Sequence, residues 1–161
     1  MPTRIKPRPA LVPALALLAA LAGCREDWQA ATYPASGRLT INGRPAAGAL
    51  VQLFPKAGTA PDERNSRPWG KVAADGSFEL STYQGEAGAP AGEYGVAISW
   101  PVDAAVLGSP DRLGGKYNAP EKSSLAVTLK AEPNQIPPFD LAGAKVADAP
   151  RPSARTAPPA R

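Results

Sequence analysis

From Gly37 onward, apolar residues recur at every second position in short runs broken by Gly, Pro and Asn. Side chains alternate across a strand with period two, so such runs predict half-buried strands, and no helical period competes with them. Leu39 and Ile41 alternate with Arg38 and Thr40, and Asn42-Gly43 then supplies a pair that takes positive φ and closes a first hairpin. Residues 49–54 are nearly continuously apolar and read as a central strand covered on both faces, ended by Pro55. After a polar surface loop over 56–66, residues 69–73 run into Ala74-Asp75-Gly76 and on through Phe78 and Leu80, a second hairpin with Ser77, Glu79 and Ser81 towards water. In residues 92–100, Tyr94, Val96, Ile98 and Trp100 share one face while Gly95, Ala97 and Ser99 take the other. Leu125, Val127 and Leu129 alternate again, and after a turn over 132–135 a last run ends in Phe139 and Leu141. The result is seven short strands with the rhythm of an antiparallel sandwich. Residues 102–123 are longer and richer in Gly and Pro than a hairpin loop requires, which predicts a segment crossing the end of the sandwich and marks it as the place for function.

The start of the chain follows a different pattern. Arg4, Lys6 and Arg8 precede an apolar run over 10–22 that only Pro13 interrupts, the pattern of a secretory signal and too short for the roughly 20 residues of a membrane-spanning helix. The run closes on Leu21-Ala22-Gly23-Cys24, which resembles the bacterial lipobox, where a diacylglyceryl group joins the Cys thiol before cleavage. That resemblance implies a signal peptide over 1–23 and Cys24 as the acylated first residue of the mature chain. An ordinary secretory signal with a chance cysteine, or a buried N-terminal helix, is the alternative. Several acyl chains on one residue hold a protein stably to a bilayer. Arg25, in place of the aspartate that retains well-studied lipoproteins at the inner membrane, points to the outer membrane, facing the periplasm or the cell surface.

Composition narrows the chemistry. The 15 Gly and 20 Pro argue against an all-helical protein, whereas 43% hydrophobic and 20% charged residues suit one modest core. With no His and a single Cys, catalytic triads and dyads that need His, His-ligated metals and internal disulfides all drop out. The net charge of +4 invites a nucleic-acid reading until it is located: residues 1–23 and 142–161 contribute +3 each, which leaves −2 between them. No basic body with stacking aromatics is present, so no nucleic-acid partner is expected. The Ala, Pro and Arg of 142–161 predict a disordered tail, and 24–34 a tether.

Gly37-Arg38-Leu39-Thr40, Gly43-Arg44-Pro45, Gly48-Ala49 with Val51, and Asp75-Gly76-Ser77-Phe78 together resemble the opening of transthyretin-like, carboxypeptidase-regulatory-like domains. Gly92-Glu93-Tyr94 resembles the family's Gly-x-Tyr, and Lys116-Tyr117 with Pro120, Ser124 and Leu125 resembles a subgroup of small bacterial lipoproteins built from one such domain. The departures are Leu39 for Val and Ala74 near the usual Thr. The resemblance implies an all-β, seven-stranded Greek-key β-sandwich over 35–141 and no catalytic residue, since fold does not carry activity with it.

Several residues invite a chemistry that their spacing does not support. Gly114-Gly115-Lys116 lacks the upstream Gly and the following Ser or Thr of a phosphate loop, with Pro110 and Tyr117 in those places. Glu79 and Glu93 read as solvated strand faces, and Asp62, Glu63, Asp103 and Asp111 as loop charge without calcium-loop spacing. Among the aromatics, Trp100 reads as core, while Trp69, Tyr83 and Tyr117 sit by loops and form the candidate ligand surface. The expectation is a lipid-anchored envelope protein with a non-enzymatic structural or interaction module, no metal or cofactor, and an envelope protein or a glycan as partner. The alternative is a carbohydrate-binding module using the loop aromatics.

Overall fold

The computed structural model describes residues 27–56, 60–84 and 87–147. They form an all-β protein whose strands are β1 (Thr32–Tyr33), β2 (Ala35–Ile41), β3 (Arg44–Pro45), β4 (Leu50–Pro55), β5 (Trp69–Lys71), β6 (Ser77–Glu79), β7 (Ala89–Pro90), β8 (Gly92–Ser99), β9 (Leu125–Leu129), β10 (Asn134–Gln135) and β11 (Phe139–Leu141). One single-turn helix, α1 (Pro120–Ser123), interrupts the segment between β8 and β9. Each of the seven runs read from the sequence has a strand, and β1, β3, β7 and β10 are two-residue additions.

The first turn forms as the sequence requires. Ile41 pairs with Arg44 across Asn42 and Gly43, whose φ values of 53° and 73° give the mirror-image turn that matches strand twist. β2 then organises a sheet from both edges. β6 and β3 pair with it antiparallel along one edge, and β10 and β11 pair with it in parallel along the other. The second sheet has the order β5-β4-β8-β9 and is antiparallel throughout. A third ladder, β1 with β7, holds the start of the described chain.

One core cluster draws on both large sheets: Leu39, Phe78 and Leu141 from the first, Val51, Leu53, Tyr94, Val96 and Ile98 from the second. Full burial of each such side chain is worth about 1.5–3 kcal/mol. Phe78 and Phe139 stack with centroids 6.3 Å apart. The ring of Phe78 lies where a side chain on Gly37 would begin, 2.6 Å from an added Cβ, so that position must be glycine for the ring to reach the core.

Four expectations change. The sandwich rhythm is not wholly antiparallel, because β10 and β11 run parallel to β2. The second hairpin closes its turn, with the Ala73 N–H donating to Ser77 O at 2.7 Å, but β5 then pairs with β4 and β6 with β2, leaving a single bridge between Trp69 and Ser81. The turn is therefore a corner between sheets. β4 is central yet buried on one face only, since Leu50, Gln52 and Phe54 remain half-exposed. The body also reaches past both expected limits: Trp28 packs on Tyr83 and β1 pairs with β7, so the chain between 28 and 33 is docked rather than a free tether. At the other end Ala144 is buried, exchanging hydrogen bonds with the Asn42 side chain, and Ala147 bonds Arg112. The signal peptide over 1–23, with Leu21, Ala22, Gly23 and Cys24, and the tail beyond 147 lie outside the described residues.

Candidate functional site

Residues paired across an antiparallel sheet present their side chains to the same face. On the outward face of the second sheet this sets Trp69, Gln52 and Ala97 in one row and Lys71, Leu50 and Ser99 in the next. The small side chains of Ala97 and Ser99 leave the β8 side low, while Trp69 stands at the β5 edge, 49% exposed. A cleft of about 440 Å³ opens between Leu50, Lys71 and Ser99 and the loop that carries Pro101, Val106, Leu107 and Ser109. It adjoins a hollow of about 180 Å³ lined by Leu50, Gln52, Trp69, Ser99 and Asn118. Trp69, Val106 and Leu107 are the large hydrophobic side chains left exposed among the described residues, and all three line these two cavities. Exposed apolar side chains are thus concentrated around one pair of cavities.

The loop wall is held by one carboxylate. Asp111 Oδ1 accepts from the N–H groups of Trp100, at 2.8 Å, and Leu113, at 3.0 Å, and its Oδ2 accepts from Gly115 at 2.9 Å. Leu113 is buried in the core, and the Ile98 N–H donates to Tyr117 O at 2.7 Å, so the returning chain runs along β8 beyond the last β9 pair. The Arg112 guanidinium lies 3.9 Å from the centre of the Trp100 ring, whose Nε1 donates to Ala47 O. Asp103 makes the tip compact by accepting from the Ala105 N–H, while its own N–H donates to Ser109 Oγ.

A second carboxylate organises the opposite approach to the sheet. Asp62 Oδ1 accepts from the N–H groups of Arg64 and Ser66, and Oδ2 accepts from the Tyr83 hydroxyl at 2.7 Å. Burial pushes this carboxyl up, but the Ser66 N–H, the Tyr83 hydroxyl, the Ser66 side chain and the Arg64 N–H outweigh it and hold the group below the usual aspartate range. Tyr83 Oη also accepts from the Ala30 N–H at 2.9 Å, and its ring meets Trp28 edge to face at 5.4 Å. Arg64 covers Trp28 at 3.8 Å. Close by, burial first, then the neighbouring Tyr83 and Asp62, push the Tyr94 hydroxyl up to about 12.

The three candidate aromatics are therefore differently placed. Trp69 lines the hollow beside the cleft; Tyr117 is half-buried against the core under Lys116; Tyr83, 6% exposed, spends its ring and hydroxyl on internal contacts and presents no face to a ligand. Glu93 pairs with Lys56 at 2.9 Å on β8, and Glu79 lies on β6 in the other sheet. Gly114 and Gly115, with φ of 63° and 72°, form a turn closed on Asp111. Among the described residues no group of three or more His, Cys, Asp or Glu side chains is placed to hold a metal ion, and no helix is long and apolar enough to cross a membrane. Val106 and Leu107 were not singled out by sequence, because nothing within a Gly- and Pro-rich loop separates an outward apolar residue from an inward one. Compared with family models, curated proteins and solved structures, the chain matches none.

Proposed function

We infer that the protein is a lipid-anchored module of the bacterial cell envelope, held through Cys24, that works by surface recognition rather than by chemistry. The observation that carries the recognition role is the cleft on the outward face of β5-β4-β8, where Trp69, Val106 and Leu107 stay exposed around a floor of Leu50 and Ser99. The carboxylates that bound it, Asp103 and Asp111, are engaged in shaping the loop. The anchor rests on Leu21-Ala22-Gly23-Cys24 behind a basic start and an apolar run. A seven-stranded Greek-key sandwich of transthyretin-like type is the finer reading of the fold, supported by β6-β2-β11 in one sheet and β5-β4-β8-β9 in the other. Arg25 favours the outer membrane.

The test begins with the intact mass of protein extracted from membranes in detergent, expected to match a chain that starts at acylated Cys24. A photoreactive residue in place of Leu107 then reports the occupant of the cleft in cells. A discrete adduct with an envelope protein supports the reading, and its absence at Leu107 and at Trp69 sinks it. Trp69 beside the amides of Gln52 and Asn118 favours a glycan as the second reading, since a flat ring flanked by amides suits sugar rings. That reading requires binding on a glycan array that Trp69→Ala abolishes. With Tyr83 internal, its aromatic surface reduces to Trp69, with Tyr117→Ala as the companion variant.

A further inference from the structure

The docked N-terminal segment limits how far the body can stand from a bilayer. Among the described residues Trp28 is the first side chain clamped, with the Tyr83 ring at 5.4 Å on one side and the Arg64 guanidinium at 3.8 Å on the other. The clamp continues through the Ala30 N–H on Tyr83 Oη and through the pairing of Thr32 and Tyr33 with Pro90 and Ala89. Only Arg25, Glu26 and Asp27 separate Trp28 from Cys24. Four extended residue steps span about 14 Å, against about 38 Å for the eleven steps from Cys24 to Ala35. The same end of the molecule exposes Arg64 and Arg67, neither of which makes an ion pair among the described residues. Arg64 stacks on Trp28 and Arg67 lies 4.5 Å from the Phe54 ring centre, so both guanidiniums are held in place by aromatic faces and keep their charge for an outside partner.

We propose that the Trp28 clamp is a short leash that holds the Arg64 and Arg67 end of the domain against the lipid headgroups, where the two guanidiniums meet lipid phosphates. The proposal rests on acylation of Cys24. It makes the membrane a partner of a defined protein surface as well as the resting place of the acyl chains. Short reach and unpaired cations act together here: the leash keeps the surface within about 14 Å of the headgroups, and attraction to anionic lipid takes hold as the two guanidiniums come inside the Debye length of about 8–10 Å.

The experiment uses the full-length protein recovered from membranes, its mass first checked for the acyl group. Glu63→Cys, on the exposed turn beside Arg64, takes a donor dye, and the protein is placed in phosphatidylethanolamine and phosphatidylglycerol vesicles that carry an acceptor on the headgroup. Energy transfer is expected to be high and to fall with Trp28→Ala, which removes the first clamp, leaves the Ala30 N–H on Tyr83 as the next one and extends the reach to about 21 Å. Inserting about ten Gly and Ser residues after Arg25 lengthens the leash with every clamp contact intact, and is expected to lower transfer as much, whether or not Trp28→Ala folds. Arg64→Gln with Arg67→Gln is expected to lower transfer on these vesicles and to leave it unchanged on phosphatidylcholine. An acylated protein whose transfer is low, or indifferent to the insertion, overturns the leash and leaves the anchor standing. An unmodified Cys24 removes the anchor, and the leash with it.

Discussion

Two loops in this molecule are built on the same plan, and they diverge in what they fasten. In each, one aspartate gathers several hydrogen bonds, and in each an arginine from the same loop covers a tryptophan. Asp111 takes all three bonds from backbone N–H groups, so it fixes the path of its own loop and, through Arg112 and Ala147, the exit of the chain. Asp62 also takes bonds from side chains, among them the Tyr83 hydroxyl, which in turn holds the Ala30 N–H. A carboxylate that binds only backbone shapes a loop; one that binds a tyrosine joins three stretches of chain distant in sequence. The first arrangement gives the cleft a firm wall, and the second ties down the start of the described chain.

The strongest way to break the parallel is Asp111→Ala, which strips the partner from three N–H groups at once and is expected to cost about 3 kcal/mol in urea unfolding. Asp111→Asn, which keeps one acceptor oxygen, should recover part of that loss. If Asp111→Ala leaves the urea midpoint unchanged, the wall does not depend on the carboxylate.

Tyr83→Phe is expected to cost less, about 1–2 kcal/mol, because it deletes one hydroxyl while the edge-to-face contact with Trp28 survives. It also sharpens the comparison through pH. Asp62 is held below its ordinary range, so its contribution is present above that range and is lost as pH falls through the folded value. Removing the hydroxyl raises the folded pKa, narrows the gap to the unfolded chain and flattens the acid limb of the stability profile. A carboxyl NMR titration in which Asp62 does not move upward in Tyr83→Phe would contradict this account.

The smallest difference lies between the two arginines. Arg112 adds a hydrogen bond from Nε to Ala147 O, whereas Arg64 is exposed and acts on its ring alone. Methionine keeps much of the stem and removes the charge, so Arg112→Met is expected to cost about 1 kcal/mol and Arg64→Met about 0.5 kcal/mol by thermal unfolding. Equal costs, or the reverse order, would show that the additional bond is idle.

Local pattern and long-range pairing were not equally legible. Alternation located the seven main strands because burial on one face forces period two on the residues themselves, as with Leu39 and Ile41 or Tyr94, Val96 and Ile98. Asn42-Gly43 was readable because its turn demands two positive φ values. The parallel register of Phe139 on Leu39 leaves no local mark, since each strand looks the same whichever neighbour it takes. At the site, Trp69 could be placed by its position beside a loop, but Asp111 could not, because backbone N–H groups carry no residue identity. By its place beside a loop Tyr83 reads as a ligand aromatic, and only the docking of Trp28 and Ala30 onto it makes it internal. A lone tryptophan so close to Cys24 was the one available sign that this stretch had something to pack against.

The pairing of β11 with β2 also sets a timetable. Thr40 is bonded to Asp140 and Asn42 to Ala144, contacts that span 100 and 102 residues, so the central strand of the first sheet acquires its second neighbour only when the far end of the domain arrives. Closing so long a loop comes late and slowly in folding. A chain emerging N-terminus first would have β2 with an open edge until nearly all of the domain was present. The quality control of such a fold falls at its last strand, where a truncation that removes Phe139 to Leu141 would leave a chain with every other strand present and one edge exposed to its neighbours.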